Sequence, residues 1–263
     1  MTVFSRILPL IIILILISSS VSFIYETGND PGVRVNPESY IPHNSVALAF
    51  IKSSGFNILI FHTNNESAVI FQITQITQSV IIPPLVNANA SAVVSKAYCY
   101  ESVPVYSIKV SGNNETVKGL LMNNIGITDN KISFASPIPG VIIAGNLSAI
   151  ICSIRASNEH GTDNLLTDIN LSAEFSFAYY LNSTLIDKIS GNATDGILTA
   201  QILMKNIGSA VDLAIGLQFI LGHNFIVLPR FNSVILITSL ENGFIFLQYN
   251  IIKTAFSVGG VVT

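Results

Sequence analysis

An unbroken apolar run at residues 7–17 (ILPLIIILILI) stands behind a single basic residue, Arg6, and gives way to Ser18-Ser19-Ser20-Val21-Ser22. A basic start, an apolar stretch of this size and then small residues form the layout of an export signal. The run divides the chain, because whatever follows it is expected to fold outside the cytoplasm. Two outcomes for the segment itself stay open. Ser20 and Ser22 suit a signal peptidase, which would leave Phe23 as the new terminus. Alternatively, residues 7–25 hold no charge, and about 19 such residues can span a bilayer. Arg6 would then keep the N-terminal side in the cytoplasm. Residues 1–25 are thus expected to be a signal peptide or membrane anchor. Residues 26–40, rich in Gly, Pro, Asn and charge, read as a linker, and residues 41–263 as an extracytoplasmic domain.

That domain is long enough to bury a real core. Half of the chain is hydrophobic and only 10% is charged, with a mean hydropathy of +0.60. A second spanning stretch is nevertheless missing from the sequence; residues 197–221 come nearest and are interrupted by Lys205, Asn206 and Asp212. The apolarity is therefore assigned to a β-rich core under a weakly charged surface. A net charge of -3 with no basic stripe argues against nucleic acid. Isoleucine outnumbers leucine, Trp is absent, and Asn, Ser and Thr supply most of the polar surface. A surface of neutral amides and hydroxyls avoids self-repulsion in acid, which suggests an archaeal envelope protein from an acidic medium. An AT-rich genome explains the same Ile and Asn usage.

Seven Asn-x-Ser/Thr sequons follow the apolar run, at Asn65, Asn89, Asn114, Asn146, Asn170, Asn182 and Asn192. Asn65, Asn114 and Asn192 sit in turn-like context and are the expected glycan sites. Asn146 doubles as a helix cap. Two cysteines, Cys99 and Cys152, would in an oxidising compartment close a loop of about fifty residues if paired, worth roughly 4 kcal/mol in the chain-entropy model. Two unpaired thiols are the alternative.

β-Prone composition predicts strands over residues 46–51, 57–61, 67–73, 92–100, 103–110 and 197–204, alternation predicts one over 175–181, and a short continuous apolar run predicts a buried strand over 140–144. Short helices are expected over 114–121 and 147–155, the second capped by Asn146. Residues 184–189 read as a turn or two of helix. A final hairpin is expected from 233–239 and 244–251, turning at Glu241-Asn242-Gly243. Residues 209–221 are the firmest helix, with Ser209 as cap and Gly222 as stop. Apolar nearly all round, it is expected to be buried on most sides, and it is too short to span a membrane. Its Asp212 reads as the one solvent-facing position. The predicted class is α+β: antiparallel hairpins, a few short helices and one buried helix. Two similar halves, breaking near residues 156–173, are a further reading. Residues 141–154 align without gaps on 202–215, and 46–54 on 175–183, but the two offsets disagree.

Residues 41–45 (IPHNS) before a strand, residues 141–145 (VIIAG) entering a helix, a polar loop, Leu165-Leu166 and then residues 175–181 resemble an uncharacterised family of membrane-anchored extracytoplasmic domains in bacteria. The loop that is charged in that family is mostly Asn and Thr here. The resemblance implies an envelope domain without known catalysis and transfers no functional residues.

Motifs for chemistry are not found in the sequence. His43, His62, His160 and His223 are dispersed; Glu159, His160 and Asp163 could offer metal ligands, but a polar surface loop accounts for them. Neither a serine-hydrolase elbow nor a glycine-rich phosphate loop is present. No catalytic residue, cofactor or metal is therefore expected. The expected function is that of a non-catalytic envelope protein with a structural or binding role. Its expected partners are the membrane, through residues 7–25, and envelope proteins or glycans. The alternative is an extracytoplasmic hydrolase acting on envelope polymer, with catalytic groups gathered from distant strands.

Overall fold

The computed structural model describes residues 36–52, 55–64, 66–73, 91–111, 131–138, 140–159, 165–181, 183–206 and 208–246. The expected anchor, the greater part of the linker, the helix over 114–121, and Asn65, Asn89, Asn114, Asn182, His160 and Asp163 lie outside these residues. The described strands are β1 Ala47–Lys52, β2 Phe56–His62, β3 Ser67–Ile73, β4 Ser91–Tyr100, β5 Val103–Ser111, β6 Lys131–Ile138, β7 Val141–Gly145, β8 Phe175–Tyr180, β9 Ile186–Thr194, β10 Ile197–Met204, β11 Ile226–Pro229 and β12 Ser233–Ser239. The described α-helices are α1 Leu147–Asn158, α2 Ser209–Leu221 and α3 Leu240–Phe246. The expected α+β balance is overturned. The described chain is mostly antiparallel sheet, twelve strands with few helices. Its wealth of Ile, Val, Phe and Thr favours the pleated, half-buried surface of a strand over helix. None of the described helices is long and apolar enough to cross a membrane.

The chain divides into two compact units, Met1–Ser45 with Ser53–Asp163, and Val46–Lys52 with Asn164–Thr263. In the first unit the strand order is β2-β3-β7-β6-β5-β4. The register sets Leu59 opposite Ile70 and Ile70 opposite Ile143, all fully buried. Phe61, Ala68 and Gly145 form the next row. Glycine is required there, because a Cβ on Gly145 would lie 2.7 Å from the Ser67 carbonyl oxygen. Helix α1 follows directly. Asn146 is extended, and its side chain accepts from the Ala149 N–H at 2.7 Å, which closes the expected cap. The helix packs on β6, β7 and the short 3-10 turn Pro37–Tyr40, where the buried Ser153 Oγ donates to the Tyr40 carbonyl at 2.5 Å.

In the second unit the order is β11-β12-β10-β9-β8-β1. Strand β10 alternates cleanly: Leu198, Ala200, Ile202 and Met204 are buried, while Ile197, Thr199 and Gln201 face out. Leu213 and Leu217 of α2 join the buried side chains of β10, together with Val234 and Leu236 of β12. Each such side chain stabilises the fold by about 1.5–3 kcal/mol when fully buried.

Three local expectations are corrected in this unit. The helical turn expected at 184–189 is instead the start of β9, held on both sides by β8 and β10. The pairing overrides the weak strand propensity of Asp187, Lys188 and Gly191. Gly191 fits because a Cβ there would meet the Thr199 carbonyl at 2.8 Å and the Phe177 ring at 2.9 Å. The final hairpin is not formed at Glu241-Asn242-Gly243, which lies inside α3. Ser239 Oγ accepts from the Asn242 N–H at 3.4 Å at the start of that helix, and Gly243 lies so close to Leu198 that only glycine fits without movement.

The third correction concerns α2. It spans the expected residues, and Gly222 ends it with φ +67°, a conformation that favours glycine. However, Gly208 holds the cap position, and Ser209 is the first helical residue. The helix is also not covered all round. Ala210, Leu213, Ala214, Gly216 and Leu217 are buried, whereas Val211, Ile215 and Phe219 are exposed. Asp212 is half-buried and sits between the two sides.

Candidate functional site

Two groupings of side chains merit a chemical reading. The first surrounds the outer side of α1. Its half-buried Cys152 thiol faces Glu66, and burial, the hydrogen bond to Glu66 and the charge of Glu66 push its pKa up, with Arg155 opposing. A thiol held protonated is a weak nucleophile and a poor metal ligand. Glu66 Oε2 is buried without a hydrogen-bond partner. One turn further on, Arg155 Nε donates to Tyr100 Oη at 3.4 Å, and Asn158 donates to Glu101. Glu101 and Ser102 both have positive φ and join β4 to β5 as a two-residue hairpin turn. This grouping ties helix to hairpin.

Cys99 lies on β4 opposite Pro104 and is exposed. Cys99 and Cys152, the pair considered from the sequence, are both free thiols in this structure. Among the described residues, no three His, Cys, Asp or Glu gather as metal ligands would. His43 and His223 are exposed and separate, and exposed His62 hydrogen-bonds Ser67 Oγ at 2.5 Å through Nδ1. The described ion pair joins Lys188 to Asp168 at 2.6 Å, each side chain about one-fifth exposed. It anchors the 3-10 turn Leu166–Asp168 to β9.

Of the sequon asparagines, Asn192 is not in a turn: it stands within β9 opposite Ser176 and Thr199, half-buried. Asn170, not favoured from the sequence, is exposed and its Oδ1 accepts from the Ser172 N–H at 3.0 Å in a short turn.

The second grouping is apolar and was not legible in the sequence. Val211, Ile215 and Phe219 stand at i, i+4 and i+8 on α2, one above the other on one side of the helix. They are 54%, 59% and 79% exposed. Buried Leu213 and Leu217 take the other side. At the N-terminal end of the helix stand two exposed cations. Lys205 precedes α2 and Arg230 lies in the β11–β12 turn; the Met204 N–H bonds the Asn232 carbonyl and the Arg230 N–H bonds the Ser233 carbonyl, which fixes both at one end of the ladder. Phe231, in the same turn, is 76% exposed. On the sheet face away from the packed core, Ile226 opposes Ile237 and Leu228 opposes Ile235, with Ile226, Leu228 and the nearby Ile197 exposed. Apolar side chains scattered singly over a surface are ordinary; rows of them on one element mark a contact surface.

No family model matches this chain, and no curated protein matches it. Two solved structures show a weak likeness. One is crystal form III of TP0453, with a TM-score of 0.42, 7% identity, and coverage of 79% of this chain and 96% of that one. The other is crystal form I of the same protein, with a TM-score of 0.41, 8% identity, and coverage of 88% and 99%. Likeness at that level carries no argument about fold or function.

Proposed function

We propose that this chain is a non-catalytic domain of the cell envelope, held at the membrane by residues 7–25 or released when that segment is cleaved, and that it works by binding through an apolar surface. The observation that carries the reading is the exposed row of Val211, Ile215 and Phe219 on a helix whose other side is fully packed. Folding needs only the packed side, so the outward row points to a contact made by the folded domain. The export layout of residues 6–22 supplies the address. Exposed Asn170 adds an accessible glycan acceptor in keeping with that address.

Fractionation tests the address. The native chain is expected in the membrane fraction, or outside the cell if residues 1–22 are removed. Recovery of the intact chain in the soluble cytoplasm would overturn the proposal. Crosslinking of intact envelopes is then expected to attach envelope material, lipid or protein, to the second unit, and to lose that attachment when Ile215 and Phe219 are both changed to Ser.

A further inference from the structure

We infer that the outward row of α2 rests on a lipid bilayer, the same one that holds residues 7–25, with the helix lying in the plane of the interface. The inference rests on the membrane-held form of the proposed function and names the partner of its surface. Val211, Ile215 and Phe219 cover roughly 12 Å of helix length at 1.5 Å per residue, and no charged side chain interrupts the row. An amphipathic helix of this kind buries its apolar side at the boundary between headgroups and acyl chains. Half-buried Asp212 is the helix's one acid and lies beside the row, not in it. Arg230 is exposed in the β11–β12 turn, where anionic headgroups would meet it, while the Lys205 ammonium donates to the Ser183 carbonyl at 2.8 Å. Phe231 beside Arg230 offers a further exposed aromatic ring in that turn.

The chain outside the described residues supports the same occupant. Residues 26–35 separate the apolar segment from Asn36, and ten residues reach at most about 35 Å when extended. In the membrane-held form a bilayer is therefore close to the first unit at Asn36, and the second unit is covalently joined to that unit. A second copy of the chain is the weaker occupant, because three partly exposed side chains fall well short of the roughly 800 Å² that each partner of a stable dimer buries.

The chain contains no Trp, so a single indole placed on the row reports its surroundings without background. The full chain carrying Phe219→Trp, and separately Val211→Trp, is reconstituted in phosphatidylglycerol–phosphatidylcholine vesicles with brominated acyl chains. Both positions are exposed, so neither substitution disturbs the core. For both variants the inference expects blue-shifted emission, quenched about twofold or more by the brominated chains, as for side chains seated at the acyl boundary. If the chain floats with the vesicles but its emission stays water-like and unquenched, this inference fails and the membrane-held reading stands. A blue shift without quenching, growing with protein concentration, identifies a second copy as the occupant and also overturns it. Failure of the chain to float removes the membrane-held reading and this inference together.

Discussion

Helices α1 and α2 differ by a single residue in length, 12 against 13, yet they treat solvent in opposite ways. Helix α1 buries Ala149, Ile150 and Ile154 and turns Ser148, Arg155 and Asn158 outward. Its start is capped by Asn146, and Arg155 near its end suits the helix dipole. Helix α2 buries Leu213 and Leu217 just as deeply but turns Val211, Ile215 and Phe219 outward, with no side-chain cap. Packing against a sheet asks for one apolar side only. The outer side of α1 is mostly polar, with Leu147 its exposed apolar residue, and it bonds the β4–β5 hairpin through Arg155 and Asn158. The apolar outer side of α2 therefore reports a demand other than folding.

The comparison is sharpened first on the inner side of α2. Leu217 is fully buried, so Leu217→Ala is expected to cost on the order of 2–5 kcal/mol in urea unfolding, as a cavity in a packed core does. A cost below about 0.5 kcal/mol would place that side in solvent and dissolve the contrast. On α1, the raised pKa of the Cys152 thiol and its partial burial lower the thiolate fraction at mildly alkaline pH. Alkylation at pH 8 is expected to be about ten times slower at Cys152 than at exposed Cys99, read by mass spectrometry of the labelled peptides. Equal rates would mean that the contact with Glu66 is not kept. Asn146→Ala is expected to cost about 1 kcal/mol through loss of the cap. A null result there would make the two helix starts equivalent, and the contrast would then rest on the outer sides alone.

Much of this fold was legible because local signals and pairing agree. The β-prone composition of residues 46–51 and 197–204 marks β1 and β10, the alternation in 175–181 marks β8, and Asn146 ahead of an apolar helix marks α1. The misreadings have physical causes. Strand β9 contains Asp187, Lys188, Gly191 and Asn192, residues with little strand preference, and two neighbouring strands impose its conformation. In α3 the Asn242-Gly243 pair carries a turn signal, but the Ser239 hydroxyl and the close approach to Leu198 use the same residues for a helix. The exposed row of α2 escaped sequence reading for a different reason. Apolarity all round a helix predicts cover all round it, and sequence does not say which side the sheet will leave open. The surface proposed to matter most is thus the part that the residues alone could not reveal.

The smallest expected effect is the most direct test of the central claim, that the outer row of α2 serves contact and not folding. Urea unfolding of the full chain with Phe219→Ser, set beside the unsubstituted chain, measures it. The account predicts a change within about 0.5 kcal/mol, as for a solvent-facing position away from any cap or core contact. A loss of 2 kcal/mol or more, comparable to that of Leu217→Ala, would show that Phe219 is part of the packed core and that α2 has no free face to offer.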